Sequence, residues 1–100
     1  MVKHLVFWKL QEHAEGNDKT VNARLIKEKL EALNGQIEGL VTLEVGIDFT
    51  GNATNYDVAL YSEFIDQNAL NGYQEHPKHK IAQSFVRAVN CGRACVDYEI

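Results

Sequence analysis

The chain reads as an α+β fold with the element order β-α-β-β-α-β. Four stretches are patterned as strands, two regions carry apolar residues at helical spacing, and cap or turn residues stand at the junctions between them. With 100 residues, 45% hydrophobic and 24% charged, the composition fits one ordinary globular domain spanning residues 1–100. A chain this short buries only about 60–65% of the surface it exposes when unfolded, so every apolar face has to be used.

Lys3 to Leu10 is apolar on both parities, at Leu5 and Phe7 and at Val6, Trp8 and Leu10, as in a strand buried on both faces. Asn17 or Asp18 can cap a helix that reaches Asn34, with Val21, Leu25, Ile26, Leu30 and Leu33 on one side and Gly35 at C′. Val41, Leu43, Val45, Ile47 and Phe49 alternate with Thr42, Glu44, Gly46 and Asp48, which predicts a half-buried strand. The segment TGNATN, Thr50 to Asn55, is a turn, and Tyr56 to Phe64 is the third strand. Asp66 caps a short helix carrying Ala69, Leu70 and Tyr73. Pro77 breaks it and opens a second helical run to Val89, with an apolar arc at Ile81, Ala82, Phe85, Val86 and Val89. Gly92 to Ile100 supplies the last strand. This order is the ferredoxin-like, split βαβ arrangement: a four-stranded antiparallel sheet with helices on one face.

The more apolar parities, Val41/Leu43/Val45/Ile47, Val58/Leu60 and Ala94/Val96/Tyr98, are expected to face the helices. The opposite face then offers Leu5, Phe7, Ala59 and Tyr61, with Cys95 nearby, ringed by Thr42, Glu44, Asp57, Glu63 and Asp97. An apolar patch with a polar rim on an uncovered sheet marks an interface, which predicts a homodimer packed sheet to sheet about a two-fold axis.

Fourteen acidic against ten basic side chains, without a dense basic tract, argue against nucleic acid as a partner. Apolar runs such as Leu5 to Trp8 and Val58 to Tyr61 fall far short of the roughly 20 residues that span a bilayer, and MVKHLVFWKL lacks a signal peptide's apolar core. No membrane partner is expected, and a cytoplasmic location is. Cys91 and Cys95 in CGRAC lack the C-x-x-C spacing; in an extended strand their Cα atoms lie roughly 13 Å apart, beyond disulfide reach. They are expected as reduced, mostly buried thiols.

Of the four histidines, His4, His13, His76 and His79, three can be brought together by this fold. His4 shares strand parity with Val6 and Trp8 and so looks toward the helices. His79 falls on the opening turn of the last helix, at the margin of its apolar arc, with Tyr73 on the short helix before it. YQEHPKH, Tyr73 to His79, thus aims a phenol and an imidazole into one cavity, lined by Val6, Trp8, Val58, Leu60 and Phe85. The positive end of the helix dipole and an apolar wall both lower the pKa of His79 from its reference near 6.5, leaving a neutral imidazole. Such a group is a competent general base, and a neighbouring phenol can hold a carbonyl oxygen as charge develops. The same residues also serve as ordinary core-edge side chains in many folds. His76 and His79 lack the further ligands a metal site needs, and no phosphate loop or nucleophile motif is present, so neither metal nor cofactor is expected.

VKHLVFWKL near the start, GLVTLEVG at Gly39 to Gly46, YDVALYSEF at Tyr56 to Phe64, YQEHPKH at Tyr73 to His79 and the terminal VDYEI together resemble the stress-responsive A/B barrel (Dabb) domain. The resemblance implies a dimeric α+β barrel in which two ferredoxin-like sheets close one barrel between subunits. One plant branch of that family, similar to olivetolic acid cyclase, performs an intramolecular aldol condensation without cofactor. Its catalytic His and Tyr match His79 and Tyr73, and His4 matches a further pocket histidine. Trp8 stands where a smaller aliphatic would leave more room, and the first helix lacks the aromatics that line the plant pocket.

Two functions follow as expectations. One is a homodimeric module that binds a small, largely apolar or carbonyl-containing ligand between sheet and helices. The other is a cofactor-independent cyclase or lyase with His79 as general base, Tyr73 as carbonyl donor and His4 orienting the substrate; an open cavity, not filled by Trp8 and Phe85, distinguishes it. An oxygenase of the related barrel type has no supporting site in this sequence.

Overall fold

A computed structural model describes residues 1–100. The central strand β1, Val2–Leu10, is followed by a two-residue hairpin, β2 at His13–Ala14 and β3 at Asn17–Asp18, and by helix α1, Lys19–Glu31. Strands β4, Leu40–Ile47, and β5, Val58–Phe64, precede helices α2, Gln67–Glu75, and α3, Pro77–Val89; β6, Asn90–Glu99, closes the chain. The main sheet is antiparallel in the order β4-β5-β1-β6. This is the expected ferredoxin-like α+β fold. No helix is long and apolar enough to cross a membrane.

Local chemistry sets the helix ends. Asp18 caps α1 by accepting from the Val21 amide at 2.9 Å, and Asp66 caps α2 by accepting from Ala69 N at 2.8 Å. His76, held extended by the following proline (φ −66°, ψ 133°), ends α2, and Pro77 starts α3. Helix α1 stops three residues before the expected Asn34: Leu33 N and Asn34 N bond three residues back, to Leu30 O and Glu31 O. That tighter turn frees the Asn34 side chain to act as a strand edge. It donates to Leu43 O at 2.8 Å and accepts from Leu43 N at 2.9 Å. Two residues along, Lys27 donates to Val45 O at 2.6 Å and Glu31 accepts from Val45 N at 3.0 Å. Side chains of α1 and the turn after it thereby occupy this part of β4's outer edge, which would otherwise invite another strand.

The hairpin is not predicted by the sequence pattern. Glu15 and Gly16 take consecutive positive φ angles, 52° and 78°, as a primed two-residue turn requires. Asn22, fully buried on α1, holds it by donating to Ala14 O and accepting from Asn17. Gly39 (φ +82°) lies so close to α2 that an added Cβ would come within 2.4 Å of Ala69 Cβ, which only glycine avoids.

The core lies between the helices and one face of the sheet. Val2, Val6, Trp8 and Leu10 of β1 meet Leu43, Val45, Val58, Leu60 and Phe64 there, under Ile26, Leu30, Leu70, Tyr73, Ala82, Val86 and Val89. Three expectations fail, two of them through a β-bulge. Val41 and Ile47 do not join this face, being 49% and 43% exposed, and the strand stops short of Phe49, which is 98% exposed. Val41 is the extra residue of a β-bulge, because Leu40 pairs with Phe64 while Thr42 already pairs with Glu63; Ile47 ends the strand and Phe49 lies beyond it. Asp57 does not rim the open face but accepts from Leu10 N at 2.8 Å, closing the end of β1.

The third difference reverses β6. Leu10 pairs with Asn90, yet Lys9 pairs with Gly92, so Cys91 is an extra residue in β6. Without that bulge Ala94, Val96 and Tyr98 would lie under the helices. With it, Arg93, Cys95 and Asp97 pair with Trp8, Val6 and His4, and residues directly opposite share a face. Ala94, Val96 and Tyr98 instead join Phe7, Leu5 and Lys3 on the open face.

Candidate functional site

Three elements bring the expected residues together. His4 points from β1 into the helix-covered face at 4% exposure, Tyr73 is fully buried on the last turn of α2, and His79 sits third in α3 at 8% exposure. The break at His76–Pro77 folds the two helices so that the Tyr73 and His79 rings lie 4.2 Å apart between centroids, tilted by 39°. The His4 ring stands 6.2 Å from Tyr73, and Phe64, 5.0 Å from Tyr73, packs against both. His76 turns to its own helix end, where Nδ1 accepts from Lys78 N at 3.1 Å. It forms no pair with His79.

These rings border a cleft of about 780 Å³. Val6, Trp8 and Leu60 line it, as expected; Val58 and Phe85 do not. Val58 lies one register step farther along β5, where it is 99% removed from solvent, and Phe85 turns to α1, with the Lys29 ammonium 5.1 Å above its ring. Trp8 forms part of the wall without separating Tyr73 from His79. At the mouth, Lys80 pairs with Glu75 at 3.3 Å, while Arg87 and Arg93 have no carboxylate partner.

Each polar group has a distinct state. The Tyr73 hydroxyl is buried with no hydrogen-bond partner, and its burial pushes the phenol pKa well above the usual tyrosine range. A buried unpaired donor costs about 1–3 kcal/mol, so this hydroxyl is a donor that stability does not explain. Burial lowers the pKa of His79 below its usual 6.5; the Gln74 carbonyl opposes this, and His4 adds to it. His79 Nδ1 lies 3.4 Å from Gln74 O, which can only accept, so Nδ1 carries the proton and Nε2 keeps a lone pair. His4 Nδ1 is hydrogen-bonded to Asp97 Oδ1, and the His4 carbonyl accepts from the buried Ser62 hydroxyl at 2.9 Å.

The sequence pattern does not identify Asp97 and Cys95 as partners of His4. It places both on the open face, and the signal that relocates them is the Cys91 bulge, visible only once β6 is paired with β1. The arrangement combines a neutral base, an unsatisfied phenolic donor and an acid-oriented imidazole in one open cleft. That set can remove a carbon-bound proton beside a carbonyl whose oxygen it holds.

The stress-responsive A/B barrel domain model matches residues 2–100. Uncharacterized protein SCO4036 of Streptomyces coelicolor is 36% identical over 80 residues, 80% of each chain. A dimeric protein of unknown function and ferredoxin-like fold from Bacteroides fragilis superposes with a TM-score of 0.87 at 35% identity, covering 99% of this chain and 95% of that one. The hydroxynitrile lyase of Passiflora edulis shares the fold at TM-score 0.76 and 17% identity, over 99% of this chain and 92% of that one. The chain belongs to the stress-responsive A/B barrel domain family.

Proposed function

We propose that the cleft binds a small carbonyl compound and that His79 and Tyr73 interconvert it with its enolate without a cofactor. The observation that carries this is the fully buried, partnerless Tyr73 hydroxyl beside an imidazole held neutral. His79 Nε2 takes a proton from the carbon next to the carbonyl. The carbonyl oxygen, gaining that electron pair, accepts the Tyr73 hydrogen bond. The enolate carbon then attacks a second carbonyl of the same molecule, an aldol step in which His79 returns its proton to the new alkoxide oxygen, or is itself reprotonated by His79. His4, fixed by Asp97, orients the substrate. Arg87 and Arg93 at the mouth favour a substrate carrying an anionic group.

Deuterium exchange at the carbon beside the keto group, followed by proton NMR in heavy water, tests this with levulinate and its uncharged methyl ester. Wild-type protein is expected to accelerate exchange, levulinate above its ester, and His79→Ala to lose at least about 100-fold. Exchange at the buffer rate, or exchange untouched by His79→Ala and Tyr73→Phe, overturns the assignment.

The chain itself is inferred to be a homodimer through the open sheet face. Leu5, Phe7, Ala59 and Tyr61 are joined there by Ala94, Val96 and Tyr98, the last two 54% and 44% exposed. Similar structures are described as dimeric, and the occupied β4 edge favours pairing by faces over pairing by edges at Leu43 and Val45. Sedimentation at micromolar concentration is expected to show a dimer; a monomer there contradicts it.

A further inference from the structure

We propose that His4, Cys95 and Asp97 form a binding site for a divalent d-block cation, zinc by its donor set, beside the cleft. The placement comes from the sheet. Cys95 and Asp97 are two residues apart on β6 and therefore on one face, and Asp97 is directly paired with His4 on β1. Their ligand atoms, the imidazole Nδ1, the thiol Sγ and a carboxylate oxygen, all lie within 4.8 Å of one another. Sγ stands 3.8 Å from His4 Nδ1 and 3.7 Å from Asp97 Oδ1. In a tetrahedral zinc site with Zn–S of about 2.3 Å and Zn–N of about 2.0 Å, sulfur and nitrogen are roughly 3.5 Å apart, so the thiol is already nearly in place. His4 and Asp97, now hydrogen-bonded to each other, have only to part enough to admit the ion.

The remaining geometry suits a cation that can be reached and exchanged. His4 is buried, Cys95 half-buried, and Asp97 exposed at the rim, so the site has one rigid ligand and an open approach. Three protein donors leave one position for water or a ligand, the pattern of an open rather than a closed zinc site. The proton balance is simple. On binding, the Cys95 thiol releases its proton to solvent, and the His4 proton moves from Nδ1 to Nε2 as the ion takes Nδ1. Thiolate and carboxylate together neutralise the ion, which lets it sit beside the neighbouring Arg93 guanidinium. The ion also changes His4 itself: its remaining nitrogen becomes a donor toward the cleft instead of an acceptor. This site does not depend on turnover by His79 and Tyr73.

Cobalt(II), added to metal-free protein and followed by absorption, is the direct probe. One equivalent per chain is expected to bind, with a thiolate-to-cobalt charge-transfer band, release of one proton, and displacement by zinc. Cys95→Ser is expected to abolish the band, and Asp97→Asn, at an exposed position that spares the core, to weaken binding about tenfold or more. Cys91→Ser should leave both unchanged. The proposal is overturned by the absence of a charge-transfer band at stoichiometric cobalt, by a band that survives Cys95→Ser, or by binding indifferent to Asp97→Asn.

Discussion

On the helix-covered face of the sheet, His4, Ser62, Cys95 and Asp97 interrupt an apolar floor. On the open face, Leu5, Phe7, Val96 and Tyr98 stand where a half-exposed antiparallel sheet ordinarily carries polar groups. Each face therefore departs from what folding alone would choose, in opposite directions. The polar groups inside gather around His4, which lines the cleft, the apolar groups outside form the face proposed for a partner, and one residue, the Cys91 bulge, sorts β6 between the two. The same inserted residue that adds Val96 and Tyr98 to the open face brings Cys95 and Asp97 beside His4.

Inserting one residue between Gly92 and Arg93 attacks that division most directly and should have the largest effect. It would shift the rest of β6 by one residue, burying Val96 and Tyr98 while expelling Cys95 and Asp97, or else force a second bulge beside the first. A loss of at least about 3 kcal/mol in urea-unfolding stability is expected, together with loss of the His4–Asp97 contact in imidazole NMR. Phe7→Glu alters only the open face. It should weaken the dimer by about 2 kcal/mol or more, read by sedimentation, while circular dichroism of the resulting monomer stays that of wild type.

The covered face has its own signature in pH. His79 is depressed below 6.5 mainly by burial, so its neutral form belongs to the folded state. Below pH 6.5 the unfolded chain binds more protons than the folded one, and stability must fall as pH drops toward the folded pKa. Above 6.5 the contribution is complete. Urea unfolding across this range should show a rising stability with pH in wild type and a shallower rise in His79→Gln.

Much of this organisation is legible in the sequence. The order of elements, the caps at Asp18 and Asp66, the break at Pro77 and the convergence of His4, Tyr73 and His79 rest on short-range signals: periodicity, cap chemistry and the ring of proline. What could not be read was register. Parity within β6 is visible in the sequence, but which parity faces inward is set by its pairing with β1, and a bulge reverses it without altering the alternation. Val41 repeats the lesson in β4. Glu15-Gly16 carries only a weak turn signal, because glutamate is not the residue a primed turn usually selects at its first position. Asp97, which orients His4, was misplaced for the register reason alone.

The most direct test of a cleft built for a ligand is the smallest change, Tyr73→Phe. It removes one oxygen atom that makes no hydrogen bond in the folded chain. If the hydroxyl is kept for a bound carbonyl, the variant should be as stable as wild type or up to about 1 kcal/mol more stable in urea unfolding, while enolate-linked deuterium exchange slows at least about tenfold. A variant that is clearly less stable, with exchange unchanged, would show that the hydroxyl serves the fold, contradicting its assignment as the carbonyl donor.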